Sequence, residues 1–286
     1  MQEIHNHVFI EDQYPGVTLG AIALPHGLIQ IDAPPAPEDG RSWRAALLSL
    51  STGVERMLIN LDGHPDRTLG DRAMDCTIIA HEKTAETFRN RPNTFKAQGE
   101  ETGADWESVI GLGNIRWAPP EITFTSRMAI EWSNFPVLME HHPGPTAGAC
   151  WAILPEAQIV FIGDLVVKNQ TPFIASANLP VWLKSLDYLM KNFQDYTIVS
   201  GRGGIVQFSQ IKNQYTQIET LYSQLEALAQ SQAGADAVEK IIPAYMRSLQ
   251  ISSEKQKQYS QRLVYGLQHY YSRHYKSGSS NDESEE

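Results

Sequence analysis

Short apolar runs, many of them closed by glycine, proline or an acid, recur through the first two thirds of the chain and restrict it to a fold built on β-sheet. The early ones span residues 4–10, 17–24, 28–31, 57–61 and 77–80, alternating or continuously apolar, as half-buried and fully buried strands are. Among them, residues 37–50 open on acids and place Trp43, Ala46, Leu47 and Leu50 at the spacing of an amphipathic helix. Strands interleaved with helix predict an α/β domain. A polar stretch over 90–114, with Pro92, Gly99, Gly103, Trp106 and Gly111, is too long for an ordinary connection and is of the kind that is functional or mobile. Strands then resume densely at 122–125, 128–132, 137–141, 149–154 and 159–162, in what reads as an antiparallel second half. A helix over 181–193 and a strand over 197–200 close the α/β region near Gly204.

Beyond that point the pattern changes. Ile211, Tyr215, Ile218, Leu221, Tyr222, Leu225 and Leu228 recur every three or four residues, and further helical stretches follow to Tyr275. The chain therefore divides into an α/β domain (1–208), a helical extension (209–276) and a Ser/Gly/acid-rich tail (277–286) whose composition predicts disorder. The last helix mixes Lys255, Lys257, Arg262, Arg273 and Lys276 with five tyrosines, which reads as tyrosines packed inward and lysines solvated. An apolar stripe left exposed over 211–228 would signal a homodimer.

Charge and composition narrow the function. Twenty-three basic against 33 acidic side chains give a net charge of -10, which argues against a nucleic-acid partner. No apolar run approaches the ~20 residues of a membrane helix, and the start of the chain lacks a basic and apolar leader pattern. Cys76 and Cys150 are too few for a disulfide framework and read as small core residues. The expectation is a soluble cytoplasmic protein acting on, or binding, a small molecule.

One segment carries the chemistry. Leu58-Ile-Asn-Leu-Asp-Gly-His-Pro-Asp-Arg67 is an apolar strand ending in a loop with Asp62, His64, Asp66 and Arg67, and strand ends are where α/β folds place sites. Histidine with carboxylates is the ligand mixture of zinc, iron and manganese, though alone it equally describes a hydrogen-bonded turn. Four further segments follow the same logic: Leu28-Ile-Gln-Ile-Asp32, His141-His-Pro-Gly-Pro-Thr-Ala-Gly148, Phe161-Ile-Gly-Asp-Leu165 and Ser200-Gly-Arg-Gly-Gly204. In order and spacing the five resemble the signature of the metallo-β-lactamase superfamily: strand-Asp, His-x-His-x-Asp-His, Pro-Gly-His-Thr, Gly-Asp and Gly-His. The resemblance covers about residues 3–205. It implies a four-layered αβ/βα sandwich with its site at one edge of two sheets. It also implies hydrolysis of an ester, thioester, amide or phosphoester by metal-bound hydroxide.

At the ligand positions themselves the sequence departs from that signature. Asp62 stands at the first histidine, His64 and Asp66 match, Arg67 stands at the next histidine, Pro145 at the following one, Asp164 matches and Arg202 stands at the last. Arginine cannot ligate a divalent ion but pairs bidentately with carboxylate. Two readings stay open. In the first, Asp62, His64 and Asp164, joined by His142, hold one zinc, iron or manganese ion, with Asp66 as base and Arg202 gripping an anionic substrate group. In the second there is no metal: Arg67 and Arg202 neutralise the acids as salt-bridge substitutes, and the fold serves binding or assembly. His81, matching a family position at a strand end, reads as structural.

Overall fold

The computed structural model describes residues 1–50, 53–96, 101–133 and 136–275. Its strands, in chain order, are β1 (Gln2–His5), β2 (Val8–Glu11), β3 (Leu19–Ala23), β4 (Gly27–Ile31), β5 (Glu55–Ile59), β6 (Thr77–His81), β7 (Thr94–Phe95) and β8 (Ile115–Arg116). They continue as β9 (Ile122–Phe124), β10 (Arg127–Ile130), β11 (Val137–His141), β12 (Cys150–Leu154), β13 (Ile159–Phe161), β14 (Thr197–Ser200) and β15 (Gly204–Val206). The helices are α1 (Pro37–Leu47), α2 (Pro65–Thr68), α3 (Asp71–Met74), α4 (Glu82–Arg89), α5 (Leu179–Asn192), α6 (Phe208–Gln230), α7 (Ile242–Arg247) and α8 (Gln256–Tyr275).

Two mixed sheets face each other. The first runs β1-β2-β3-β4-β5-β6-β9, antiparallel as far as β4 and parallel from β4 to β9; the second runs β10 to β15 in sequence order, with β13 and β14 parallel. Strand alternation sorts the side chains into layers. Ile29, Ile31, Ile59 and Ile79 point inward to meet Met139, Cys150, Ala152, Phe161 and Val199 between the sheets. Their neighbours Leu28, Leu58 and Ile78 point outward onto Trp43 and Leu47 of α1 and Met74 of α3. On the far side, Trp151, Ile153, Val160 and Ile198 pack under α5, α6 and α8. Helix, sheet, sheet, helix is the four-layered αβ/βα sandwich that the motif order implies.

The outer core does not stop at the α/β elements. Trp182 and Leu186 of α5, Ile218, Leu221 and Leu225 of α6, and Leu263, Leu267, Tyr270 and Tyr271 of α8 form one cluster with the second sheet. The stripe over 211–228 is thus covered within the chain. Three sequence expectations change in the structure. The apolar run over 4–10 is a hairpin, turning at His7 with φ 62°, a left-handed residue that no Gly or Asn-Gly signal announces. Residues 122–124, grouped by sequence with the second half, pair in parallel with β6 in the first sheet. The stretch over 90–114 carries the β7–β8 ribbon's first strand and a 3-10 turn at Asp105–Ser108, folded over a small core of Phe88, Trp106, Leu112 and Trp117. The tail over 277–286 lies outside the described residues. No helix among the described residues is long and apolar enough to cross a membrane.

Candidate functional site

Asp32 follows β4, Asp62 and His64 follow β5, Asp164 follows β13 and Arg202 follows β14, so four strand-end loops empty onto one edge of the sandwich. Local structure fixes each. Asp32 sits at φ 58°, its amide bound to the Ile59 carbonyl and its Oδ1 accepting from the Leu61 amide at 2.9 Å. Pro65 opens α2 with His64 as its N-cap, the imidazole Nδ1 accepting from the Asp66 amide at 3.3 Å. That one turn drives Asp66 and Arg67 into the interior, where both are fully buried.

Two arginines occupy the centre. Arg67 donates Nη1 to Asp32 at 2.8 Å, lies 3.1 Å from Asp62 through Nε, and binds Asp164 through Nη2. Arg202 straddles the two oxygens of Asp164 with Nε at 3.0 Å, and donates Nη1 to Asp66 at 2.7 Å and to the Gly16 carbonyl at 2.6 Å. Its Nη2 lies 3.0 Å from His64 Nδ1. Each carboxylate of the motif therefore lies within ion-pair distance of a guanidinium, and Asp164 is gripped by both, as the planar fork of arginine allows.

A third arginine comes from far along the chain. Arg262 of α8 donates to Asp105 at 2.9 Å, to the Gly103 carbonyl at 2.9 Å and to the Thr171 carbonyl at 3.0 Å. Its guanidinium and that of Arg202 both lie over the Phe173 ring, 4.1 and 4.5 Å from its centroid, and His64 packs on the same ring at 4.1 Å. Asp105 is 3.7 Å from Arg202 and 3.2 Å from Lys255. The sequence showed Arg262 only as part of a basic helix; in the structure it is 1% exposed. Its signal was position, since it lies among Tyr259, Leu263, Gly266, Leu267 and Tyr270 on the buried face of α8. Asp105 and Phe173 carried no readable signal.

Burial sets the charge states. It works against ionisation of Asp164, but Arg202 and Arg67 together hold that carboxyl below its ordinary value. At Asp32 burial wins, pushing the carboxyl up to about 7 although Arg67 pulls the other way. Burial likewise raises Asp62 and Asp66 against the pull of Arg67 and Arg202 respectively. The His64 imidazole is held well below its usual value by burial and by the adjacent Arg202 and Arg67 charges, so it is neutral.

Of the residues singled out in sequence, Asp62, His64, Asp66, Arg67, Asp164 and Arg202 converge. His142 does not turn inward to join them. It stacks on Trp151 at 3.7 Å and approaches Glu140 at 3.3 Å, because the alternation of β11 sends it to the outer face of the second sheet. His141 stacks on His81, whose Nε2 lies 2.7 Å from the Thr125 carbonyl and whose Nδ1 caps α4. The superfamily usually binds metal ions, yet these residues do not fit one. Asp62 keeps one buried oxygen without a partner, but Asp164 and Asp66 are engaged by guanidinium and His64 Nδ1 already faces two N–H groups. A divalent ion there would stand beside two fixed positive charges. Among the described residues no group of three or more His, Cys, Asp or Glu is arranged to hold a metal.

Comparison with known proteins agrees on the fold. The sequence model of the metallo-beta-lactamase superfamily matches residues 68–203. A metallo-beta-lactamase from Pontibacter korlensis superposes with TM-score 0.61 at 17% identity, over 76% of this chain and 97% of that one. The DIM-1 metallo-beta-lactamase gives 0.57 at 15%, over 77% and 96%. The stereoselective inverting sec-alkylsulfatase Pisa1 from Pseudomonas sp. gives 0.69 at 12%, covering 95% of this chain, so that the likeness takes in the C-terminal helices, but 49% of its own. No curated protein matches the chain in sequence. Sheet order, layer order and sequence match together identify a metallo-β-lactamase-superfamily fold, hydrolase-like in architecture.

Proposed function

We propose that this chain is a binding protein on a hydrolase fold, whose former ligand positions now form a structural arginine–aspartate core. One observation carries the reading: Arg67 and Arg202, both fully buried, reach Asp32, Asp62, Asp66 and Asp164 between them. A guanidinium charge thereby does the neutralising that a cation would otherwise do, and it does so without an exchangeable coordination position. Metal-bound hydroxide has no place in this reading, and the ligand is a small molecule taken up elsewhere on the surface.

Metal analysis decides it. The purified chain, exposed to zinc and then gel-filtered, should retain far less than one equivalent, and a chelator should leave its melting temperature unchanged. One equivalent of tightly held zinc, with hydrolysis of a test ester or thioester lost on chelation, would establish the mononuclear hydrolase instead.

A further inference from the structure

Arg91, just past α4, differs from the arginines of the centre. Its Nη2 donates to the Gly63 carbonyl at 2.7 Å, but its Nη1 is buried with no hydrogen-bond partner. No ion pair to it occurs among the described residues. The guanidinium lies over Trp117 and Phe88, 4.9 and 5.5 Å from the ring centroids. Burial lowers its pKa, with Asp62 alone pulling the other way. A desolvated cation with an unused donor is unfavourable unless an anion completes it. Beside it opens a cavity of about 430 Å³, of the size that takes a small molecule. Among the described residues, Arg91, Lys96, Thr94, Phe95, Trp117 and Pro65 line it, two of them cations. Pro65 is the residue next to His64, so the cavity adjoins the arginine-filled centre without being part of it.

We propose that this cavity binds a small organic anion, a carboxylate or phosphate carried on a flat ring, with the Arg91 guanidinium and Lys96 on the acid and Phe95 and Trp117 on the ring. The chemistry follows from the lining: arginine supplies a planar fork for an oxyanion, and aromatic faces take a flat apolar body. The proposal rests on the reading that the centre itself is structural, and it is read out separately from metal content.

The test uses the full-length protein labelled with ¹⁵N. The Trp117 indole signal, assigned by its loss in Trp117→Phe, is followed during titration with sodium benzoate and, separately, with AMP. A saturable shift is expected with at least one of them: benzoate alone marks a carboxylate site, AMP alone a phosphate site. Benzyl alcohol, the neutral counterpart of benzoate, should bind at least about tenfold more weakly than the better anion. Arg91→Gln should abolish the shift, and Arg91→Lys should retain part of it. Should Arg91→Gln fail to fold, Lys96→Gln, at the exposed rim, should weaken binding by several-fold. No saturable Trp117 shift with either anion, or equal binding of benzyl alcohol, overturns the proposal. Zinc uptake with the anion shift intact would instead refute the structural-centre reading alone.

Discussion

Arg202 is the residue on which the centre turns, because its side chain reaches Asp164, Gly16, Asp66, His64 and Asp105, from loops far apart in sequence. Arg202→Ala would leave Asp66 and Asp164 buried with half their partners gone, a loss of about 3–5 kcal/mol of the kind seen when one member of a buried pair is removed. Urea denaturation should show it, and Arg202→Lys should not rescue it, since an ammonium cannot straddle a carboxylate and reach a second. A loss under about 1 kcal/mol would mean the network contributes little. His64 gives a pH signature with a defined sign. Its folded pKa lies well below the unfolded value near 6.5, so the unfolded chain takes up the proton first. The associated stability is complete above about pH 6.5 and is lost as pH falls, at up to about 1.4 kcal/mol per pH unit for one proton. Denaturation curves at pH 7.5 and 5.5 should therefore diverge less in His64→Asn than in the wild type; equal divergence would place the proton elsewhere.

The elements that sequence revealed are those whose burial is periodic. β4, β6 and β12 stand out because both faces are covered, which makes most positions apolar until a polar loop begins. Asp62, His64, Asp66, Arg67, Asp164 and Arg202 were legible because each sits in the segment that follows an apolar strand, β5, β13 or β14. What stayed hidden was set by contacts distant in sequence. The edge to which β9 adds, the inward face of Arg262 and the placement of Asp105 and Phe173 depend on which loop lands on which helix, and no local pattern records that. The docking of α8 has one visible constraint. Gly103, at φ 68°, lets the 3-10 turn lie against α8, and a Cβ there would stand 2.5 Å from the Gln258 carbonyl and 2.7 Å from the Arg262 amide. Gly103→Ala should combine backbone strain with a clash and lower the melting temperature by a few degrees, from about 1–3 kcal/mol. An unchanged melting curve would show that α8 is free to move aside.

At the scale of the whole molecule, sheet and helices share one core, so the chain cannot be divided at Phe208 without opening it. Removing 208–275 would strip Ile211, Ile218, Leu221, Leu225, Leu263, Leu267, Tyr270 and Tyr271 from the cluster they share with α5 and the second sheet, and leave its apolar remainder facing water. The shortened chain should aggregate on expression, whereas a soluble product with an intact cooperative transition would mean that the helices are an independent module. The reach of Arg262 from α8 to Asp105 has a further bearing on how the protein is made. Asp32, Asp62 and Asp66 leave the ribosome before Arg202, and Arg202 before Arg262. Emerging at about 5–20 residues per second, the first sheet spends seconds with its carboxylates facing water before any of its distant cations exists. The nascent chain must hold that edge open, and the centre can close only once the stretch that carries Arg262 has been made.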